Sequence, residues 1–347
     1  MKTLPEARDI LFQTFGDLPP LPAEKISVPD AVGRVLAKPV NARLSSPNFH
    51  LAAMDGLAVK AKITFGASAA APKALVVGRD AVYVNTGHIL PQDTDAVIMV
   101  ENVNELDEER VEIEAPAFPW QNVRRVGEDI VATELLFPQN HVITPYCVGA
   151  LLAGGVFSVA VKSKPKVLII PTGSELVDWR KLETHDVKPG QVLEFNSFVL
   201  GKLIEKCGGA FRRHDMVVDD TGKIKQALKK AVKEDYQLIM ILGGSSAGSE
   251  DFAKTAIVDL GEIKVHGVTI MPGKPVVIGS VENKPVFGIP GYPVSAIIAF
   301  EQFVQPLLYA LLGQPPPQNE TIAVQPTKKI ASKLGVEEFL RVKLGEV

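Results

Sequence analysis

The chain has 347 residues, 46% of them apolar and 22% charged, with a formal net charge of −3. That length predicts two or three domains with cores of their own, and the mixed, slightly acidic charge excludes a general nucleic-acid surface, which needs a basic excess. The N-terminus has no apolar signal region, no run of about 18 apolar residues occurs, and Cys147 and Cys207 stand far apart with no CxxC pair. The expectation is a cytoplasmic protein with reduced thiols, no membrane partner and no nucleic-acid partner.

In chain order, residues 6–15 carry apolar side chains at helical spacing, and Pro19-Pro20 stops the pattern. Residues 28–36 repeat it more weakly, with Pro29 suited to a first helical turn. From residue 37 to about 142 the pattern changes to short β-type runs broken by Gly, Pro, Asn and Asp: 56–59, 75–77, 81–85, 96–100, 111–113 and 142–143. Residues 145–155 read as a helix returning to the first segment. Residues 166–313 alternate strand and helix patterns, which predicts βαβ units and a mainly parallel sheet. Helices are expected at 196–206 with Asn196 as its cap, and at 221–232, 251–260 and 295–312. Pro315-Pro316-Pro317 reads as a stiff linker, and 321–347 as β-like but too short to close a domain. The fold class is multidomain α/β. The expected boundaries are 1–45 with 144–165 for an extended helical and linker segment, 46–143 for a β-rich insertion, 166–313 for the α/β domain and 314–347 for the start of a C-terminal β domain.

Three glycine-rich turns in the α/β segment follow apolar runs. The first holds Thr172, Gly173, Ser174 and Glu175. The second holds Gly243, Gly244, Ser245 and Ser246, and the third Pro290, Gly291 and Ser295. In an open α/β sheet ligands bind at the carboxyl ends of the strands, and helix N-termini there favour an anion. A single such turn is an ordinary strand-to-helix connection. Three of them point to a phosphate-bearing ligand. Glu175, Asp219, Asp220 and Asp251 fall at or past predicted strand ends, where acids suit either Mg²⁺ shared with phosphate oxygens or the donor edge of a heterocycle. Lys274, between prolines 272 and 275 in a Pro-Gly-Lys-Pro turn, is either a point charge for an anion or a loop lysine in water. In the β-rich segment, Asp55-Gly56 is a turn or a placed carboxylate. The run 124–129 (RRVGED) can bind an anion or a metal, or only solvate itself. Walker-type, GxGxxG and HExxH patterns are absent, and the six histidines are scattered.

Seven segments together resemble the MoeA/gephyrin E-domain family of molybdopterin molybdenumtransferases: 53–58 (AMDGLA), 86–95 (TGHILPQDTD), 124–130 (RRVGEDI), 172–176 (TGSEL), 243–251 (GGSSAGSED), 272–275 (PGKP) and 288–296 (GIPGYPVSA). The resemblance implies an elongated chain with a β-rich insertion, a molybdopterin-binding, MogA-like α/β domain and a small C-terminal β-barrel, incomplete here. It implies a homodimer, with the active site built between the α/β domain of one subunit and the insertion of the other. The implied reaction takes adenylylated molybdopterin and molybdate, assisted by Mg²⁺, and releases AMP and molybdenum cofactor. By resemblance Asp55, Glu175, Asp219, Asp251 and Lys274 form the catalytic set, with Glu175, Asp219 and Asp251 on the metal. Thr86, Thr172, Gly173, Ser174, Gly243, Gly244, Ser245, Ser246, Pro290, Gly291 and Ser295 bind the pterin substrate.

The chain departs from the family pattern where lysines are usual, at Gly267 and Met271, and where the third turn usually carries asparagine, at Tyr292. Fewer cations hold an oxyanion less tightly. These departures resemble a subgroup with an appended LysR-type, periplasmic-binding-protein-like C-terminal domain, so a longer parent protein is expected. They also leave open a second function, a non-catalytic pterin or oxyanion-binding module reporting to such a sensor domain.

Overall fold

The computed structural model describes residues 1–183, 186–244, 251–317 and 320–345, so Ser245 and Ser246 lie outside the described residues. The chain forms two compact units, Met1–Ala23 with Lys162–Val347, and Glu24–Val161. Helix α1 (Leu4–Phe15) opens on a reciprocal cap: the Thr3 hydroxyl accepts from the Glu6 N–H, and the Glu6 carboxylate accepts from the Thr3 N–H at 2.8 Å. It buries Leu4, Ala7, Leu11 and Phe15, the last three within the apolar pattern read at 6–15.

The unit Glu24–Val161 is built from short antiparallel strands. Strands β1 (Gly56–Val59), β2 (Lys73–Val76), β3 (Ala81–Val84), β4 (Ala96–Met99), β5 (Asn104–Glu105) and β6 (Arg110–Ile113) form two three-stranded sheets, β3-β1-β4 and β2-β6-β5. Leu57, Val59, Leu75, Ile98, Val111 and Ile113 pack into one core between them. Helix α2 (Pro145–Ala153) packs Cys147 and Leu151 with Val28, Ala31 and Leu36. Two expectations fail in this unit. Residues 28–36 contain only the single turn Pro29–Ala31, because Gly33 sits at φ +79° and ends the helical path, while the buried Leu36 reaches the core from an isolated bridge to Val161. Val142 makes an isolated bridge to Val35 rather than a strand.

The other unit is a six-stranded sheet covered on both sides. Its elements are β7 (Lys166–Pro171), α3 (Asn196–Lys206), β8 (Ala210–Arg213), α4 (Thr221–Ala231), β9 (Leu238–Leu242), α5 (Phe252–Leu260), β10 (Glu262–His266), β11 (Val277–Val281), β12 (Lys284–Ile289), α6 (Pro293–Ala299) and α7 (Gln305–Leu311). The strand order is β8-β7-β9-β12-β11-β10. The first four strands are parallel, while β11 runs antiparallel to both of its neighbours. Leu168, Ile170, Ile239, Ile241 and Val286 join Ile224, Leu228 and Ile257 of α4 and α5 in one core. The alternate residues Val167, Ile169, Leu238, Met240 and Phe287 are buried too, so the strands read as continuous apolar runs.

A π-helical stretch, Phe300–Val304, joins α6 to α7. The resulting helix Pro293–Leu311 is long and apolar enough, by length and composition, to cross a membrane, and half of it is buried in the protein. Within 320–345 Glu337–Glu338 forms a strand, paired with Ile270–Met271, and the described residues contain no closed barrel. Ile322, Val324, Leu334 and Leu344 are exposed, so this stretch has no core to fold around.

Candidate functional site

The chain leaves β7 for the edge strand β8 and then crosses to β9 on the other side of β7, so the strand order reverses between β7 and β9. Crevices of open α/β sheets lie at such a reversal, beyond the carboxyl ends of the strands. All three glycine-rich turns meet there. The Thr172 N–H and hydroxyl donate to the Leu242 carbonyl, at 2.7 and 3.0 Å, and the Gly243 N–H donates to the Ile289 carbonyl at 3.0 Å. A Cβ on Gly243 would stand 2.4 Å from the Thr172 carbonyl oxygen, and one on Gly291 would stand 3.7 Å from the Gly243 Cα. Gly243, at φ +88°, is the residue that lets the first two turns touch.

This interlocking occupies the N–H groups of Thr172, Gly173, Ser174 and Gly243. The Gly173 N–H donates to the Val217 carbonyl, and the Ser174 N–H donates to Asp219 Oδ2 at 3.0 Å. The Asp219 N–H in turn donates to Ser174 Oγ at 3.2 Å, so these two predicted site residues form a reciprocal pair. The N-termini of α4, α5 and α3 also carry side-chain acceptors, whereas α6 opens on Tyr292 with no side-chain cap. Asp220 accepts from the Lys223 N–H at the start of α4, Asp251 accepts from the Lys254 N–H at the start of α5, and Glu194 accepts from the Ser197 N–H at the start of α3. Thr172, Gly173 and Pro290 are buried supports, whereas Ser174, Glu175 and Gly291 are exposed at the turn tips.

Acceptor chemistry dominates what remains. The Glu175 carboxylate folds back over Gly173. Asp251 Oδ1 caps α5, while its Oδ2 is buried with no hydrogen bond among the described residues, and burial pushes its carboxyl above the usual range. His266 Nε2 stands 3.5 Å from Oδ2, beyond good hydrogen-bond geometry. Phe252 and Ala253, just after Asp251, pack on Gly244 beside the Thr172 hydroxyl. Glu175, Asp219 and Asp251 do not converge as a metal trio: among the described residues no group of three or more His, Cys, Asp or Glu side chains could hold an ion. Asp251 Oδ2 alone fits a cation, since an unpartnered buried carboxylate oxygen is costly without one. Mg²⁺ commonly takes one or two carboxylates and completes its shell with phosphate oxygens and water.

Lys274 is exposed, in a turn whose Gly273 lies against the Ser295 carbonyl, so the loop borders the third turn. In the other unit, Asp55 Oδ1 accepts from the Thr86 N–H at 2.7 Å and from its hydroxyl at 3.2 Å, joining two motif residues 31 positions apart. Arg124 is held by Asp129, both carboxylate oxygens at 2.6 Å, and by Glu128 at 3.9 Å. The 124–129 loop therefore neutralises itself. Sequence reasoning missed His266 as a neighbour of Asp251, having no signal beyond its place at a strand end. It also assigned Asn196 as a helix cap, whereas Phe195 holds that position and the Asn196 amide donates to the Gly291 carbonyl at 2.6 Å.

Residues 2–155 match the MoeA N-terminal region (domain I and II), and residues 168–310 match the probable molybdopterin binding domain. A molybdopterin molybdenumtransferase of Haemophilus influenzae is 30% identical over 96% of this chain and 84% of its own length. Molybdopterin molybdenumtransferase 2 of Mycobacterium tuberculosis is 32% identical over 91% and 82%. Two crystal structures of the molybdopterin biosynthesis MoeA protein from Pyrococcus horikoshii superpose with TM-scores of 0.78 and 0.75, at 34% and 32% identity. Each covers 90% of this chain and 80% of its own.

Proposed function

Since the chain belongs to the MoeA family of molybdopterin molybdenumtransferases, we propose that it is a cytoplasmic transferase of molybdenum cofactor biosynthesis. Its substrates are adenylylated molybdopterin and an oxyanion, molybdate or tungstate, and its products are AMP and the metal-loaded cofactor. The observation that carries this reading is Asp251 Oδ2, a buried carboxylate oxygen without a hydrogen bond among the described residues, beside the interlocked turns. Asp251 would hold Mg²⁺, which when bound neutralises phosphate charge during cleavage of the phosphoanhydride. Ser174, Glu175 and Asp219 offer hydroxyl and carboxylate acceptors to the donor edge of the pterin ring. Gly243, Gly244 and Gly291 let the backbone approach it closely, while Lys274 supplies a point charge to the oxyanion. Asp55 with Thr86 is the second acidic position in the proposed reaction. We further propose that the chain works as a homodimer.

Incubation of the protein with adenylylated molybdopterin and molybdate, with and without Mg²⁺, tests this reading. AMP release and a molybdenum-loaded pterin that depend on the cation support it. Tight pterin binding without AMP release would favour the second reading, a binding module, which the lack of lysine at Gly267 and Met271 motivates.

A further inference from the structure

Beside the crevice, a buried ion pair fixes the start of α3. Arg213, at the carboxyl end of the edge strand β8, donates through Nε to Glu194 Oε2 at 2.9 Å and to Ser197 Oγ at 3.1 Å. The Arg213 side chain is 10% exposed and the Glu194 side chain 2%. Glu194 also accepts from the Ser197 N–H at 2.9 Å and from its hydroxyl at 2.6 Å. The guanidinium lies over the Phe198 ring, 5.5 Å from its centroid, so the first turn of α3 is held on two sides. A buried pair that is hydrogen-bonded in this way sets geometry more than it adds stability. The first residue of that turn is Asn196, whose amide reaches across 95 positions to the Gly291 carbonyl. Gly291 in turn lies against Gly243, the residue that locks the second turn to the first.

We propose that Asn196 is a positioning residue for the crevice. It hangs the third glycine-rich turn from α3, and Glu194 with Arg213 supplies the anchor. The anchor is needed because Gly291 is exposed at the turn tip and has no side chain of its own to pack. Only the backbone carbonyl offers a grip, and a rigid helix start is a better place to grip from than a loop. Asn196 does not touch the reacting atoms. It decides where the backbone of residues 290–292 stands when the pterin binds. This inference rests on the proposed function for its ligand and on the Asn196–Gly291 bond for its mechanics.

The test compares the parent chain with Asn196→Ala and Asn196→Asp. The aspartate is nearly isosteric but turns an acceptor toward an acceptor. Amide hydrogen exchange is followed by mass spectrometry across the whole chain, alongside AMP release as a function of adenylylated molybdopterin concentration. Exchange in 288–296 should quicken at least about tenfold in both variants, with 166–171 unchanged. KM should rise by about tenfold or more while kcat stays within about twofold, the pattern of lost ground-state positioning. Unchanged exchange in 288–296 of the aspartate variant overturns the proposal, as does a fall in kcat at constant KM. If the parent releases no AMP, the functional reading falls, and the exchange measurement alone decides the role of Asn196.

Discussion

Asp251 divides its work between two oxygens, and the division can be measured. Oδ1 caps α5 and Oδ2 is buried without a hydrogen bond among the described residues. Asparagine keeps the cap and removes the charge, so Asp251→Asn should unfold near the parent's denaturant midpoint. It should also lose at least about a hundredfold in Mg²⁺-dependent AMP release, as loss of a Lewis-acid contact predicts. Asp251→Ala should lose the cap as well, at about 0.5–2 kcal/mol in urea unfolding. Asp178 gives a pH-dependent counterpart. Its carboxylate, hydrogen-bonded by the Arg180 guanidinium at 2.6 and 2.9 Å, titrates well below the usual range. Because the folded state binds this proton more weakly than the unfolded state, the stability it contributes is complete above the ordinary aspartate value and is lost as the pH falls below it. The gap in unfolding midpoint between the parent and Asp178→Asn should therefore narrow between about pH 5 and pH 2.

Strands and turns set which substitutions the fold accepts. Gly56 follows Asp55 at the start of the central strand β1, and a Cβ there would stand 1.9 Å from the Ile98 carbonyl oxygen of β4. Gly56→Ala should cost about 1–3 kcal/mol or more in chemical unfolding and should loosen the Asp55–Thr86 contact, since the strand must move aside. The two positions where the resemblance expects lysine differ in the same way. Met271 is 40% exposed on the short strand Ile270–Met271, so lysine fits there. Gly267 lies at φ +76°, and a Cβ on it would meet Met1 Cγ at 3.0 Å. Calorimetric titration of molybdate should show Met271→Lys binding one to two decades more tightly, about 1.5–3 kcal/mol for a charge-assisted contact. Gly267→Lys should lower the unfolding midpoint instead. Equal molybdate affinity in the parent and Met271→Lys would mean that the oxyanion is held elsewhere, with Lys274 and Arg125 the next residues to change.

For the whole molecule, the proposed homodimer gives a mass prediction. Sedimentation should return about twice the 37.4 kDa chain mass. Tyr146, 90% exposed in the first turn of α2, and Phe157, 66% exposed in the connection that follows α2, are large side chains of the kind a second copy would cover. Phe157→Glu should weaken self-association in a dilution series. A chain that sediments as a monomer at all concentrations would remove the dimer from the proposal.

The amino-acid sequence by itself determined the kinds of element, the alternation that makes the α/β sheet, the three glycine-rich turns and the family motifs. Each of these is written in a few neighbouring residues: apolar periodicity, a capping threonine three positions before a glutamate, a glycine after a strand. It misjudged residues 28–36, where a helical apolar spacing is overruled by Gly33. Only the tertiary structure decided which groups meet. Ser174 finds Asp219 across 45 positions, Thr172 finds Leu242 across 70 and Asn196 finds Gly291 across 95. These pairings follow from the reversal of strand order between β7 and β9, which no local pattern encodes. The N–H groups of Thr172, Gly173, Ser174 and Gly243 are taken up by such long-range partners. What they leave over, a buried carboxylate oxygen on Asp251 with His266 beside it, exists only because burial removed the water that would otherwise have satisfied it.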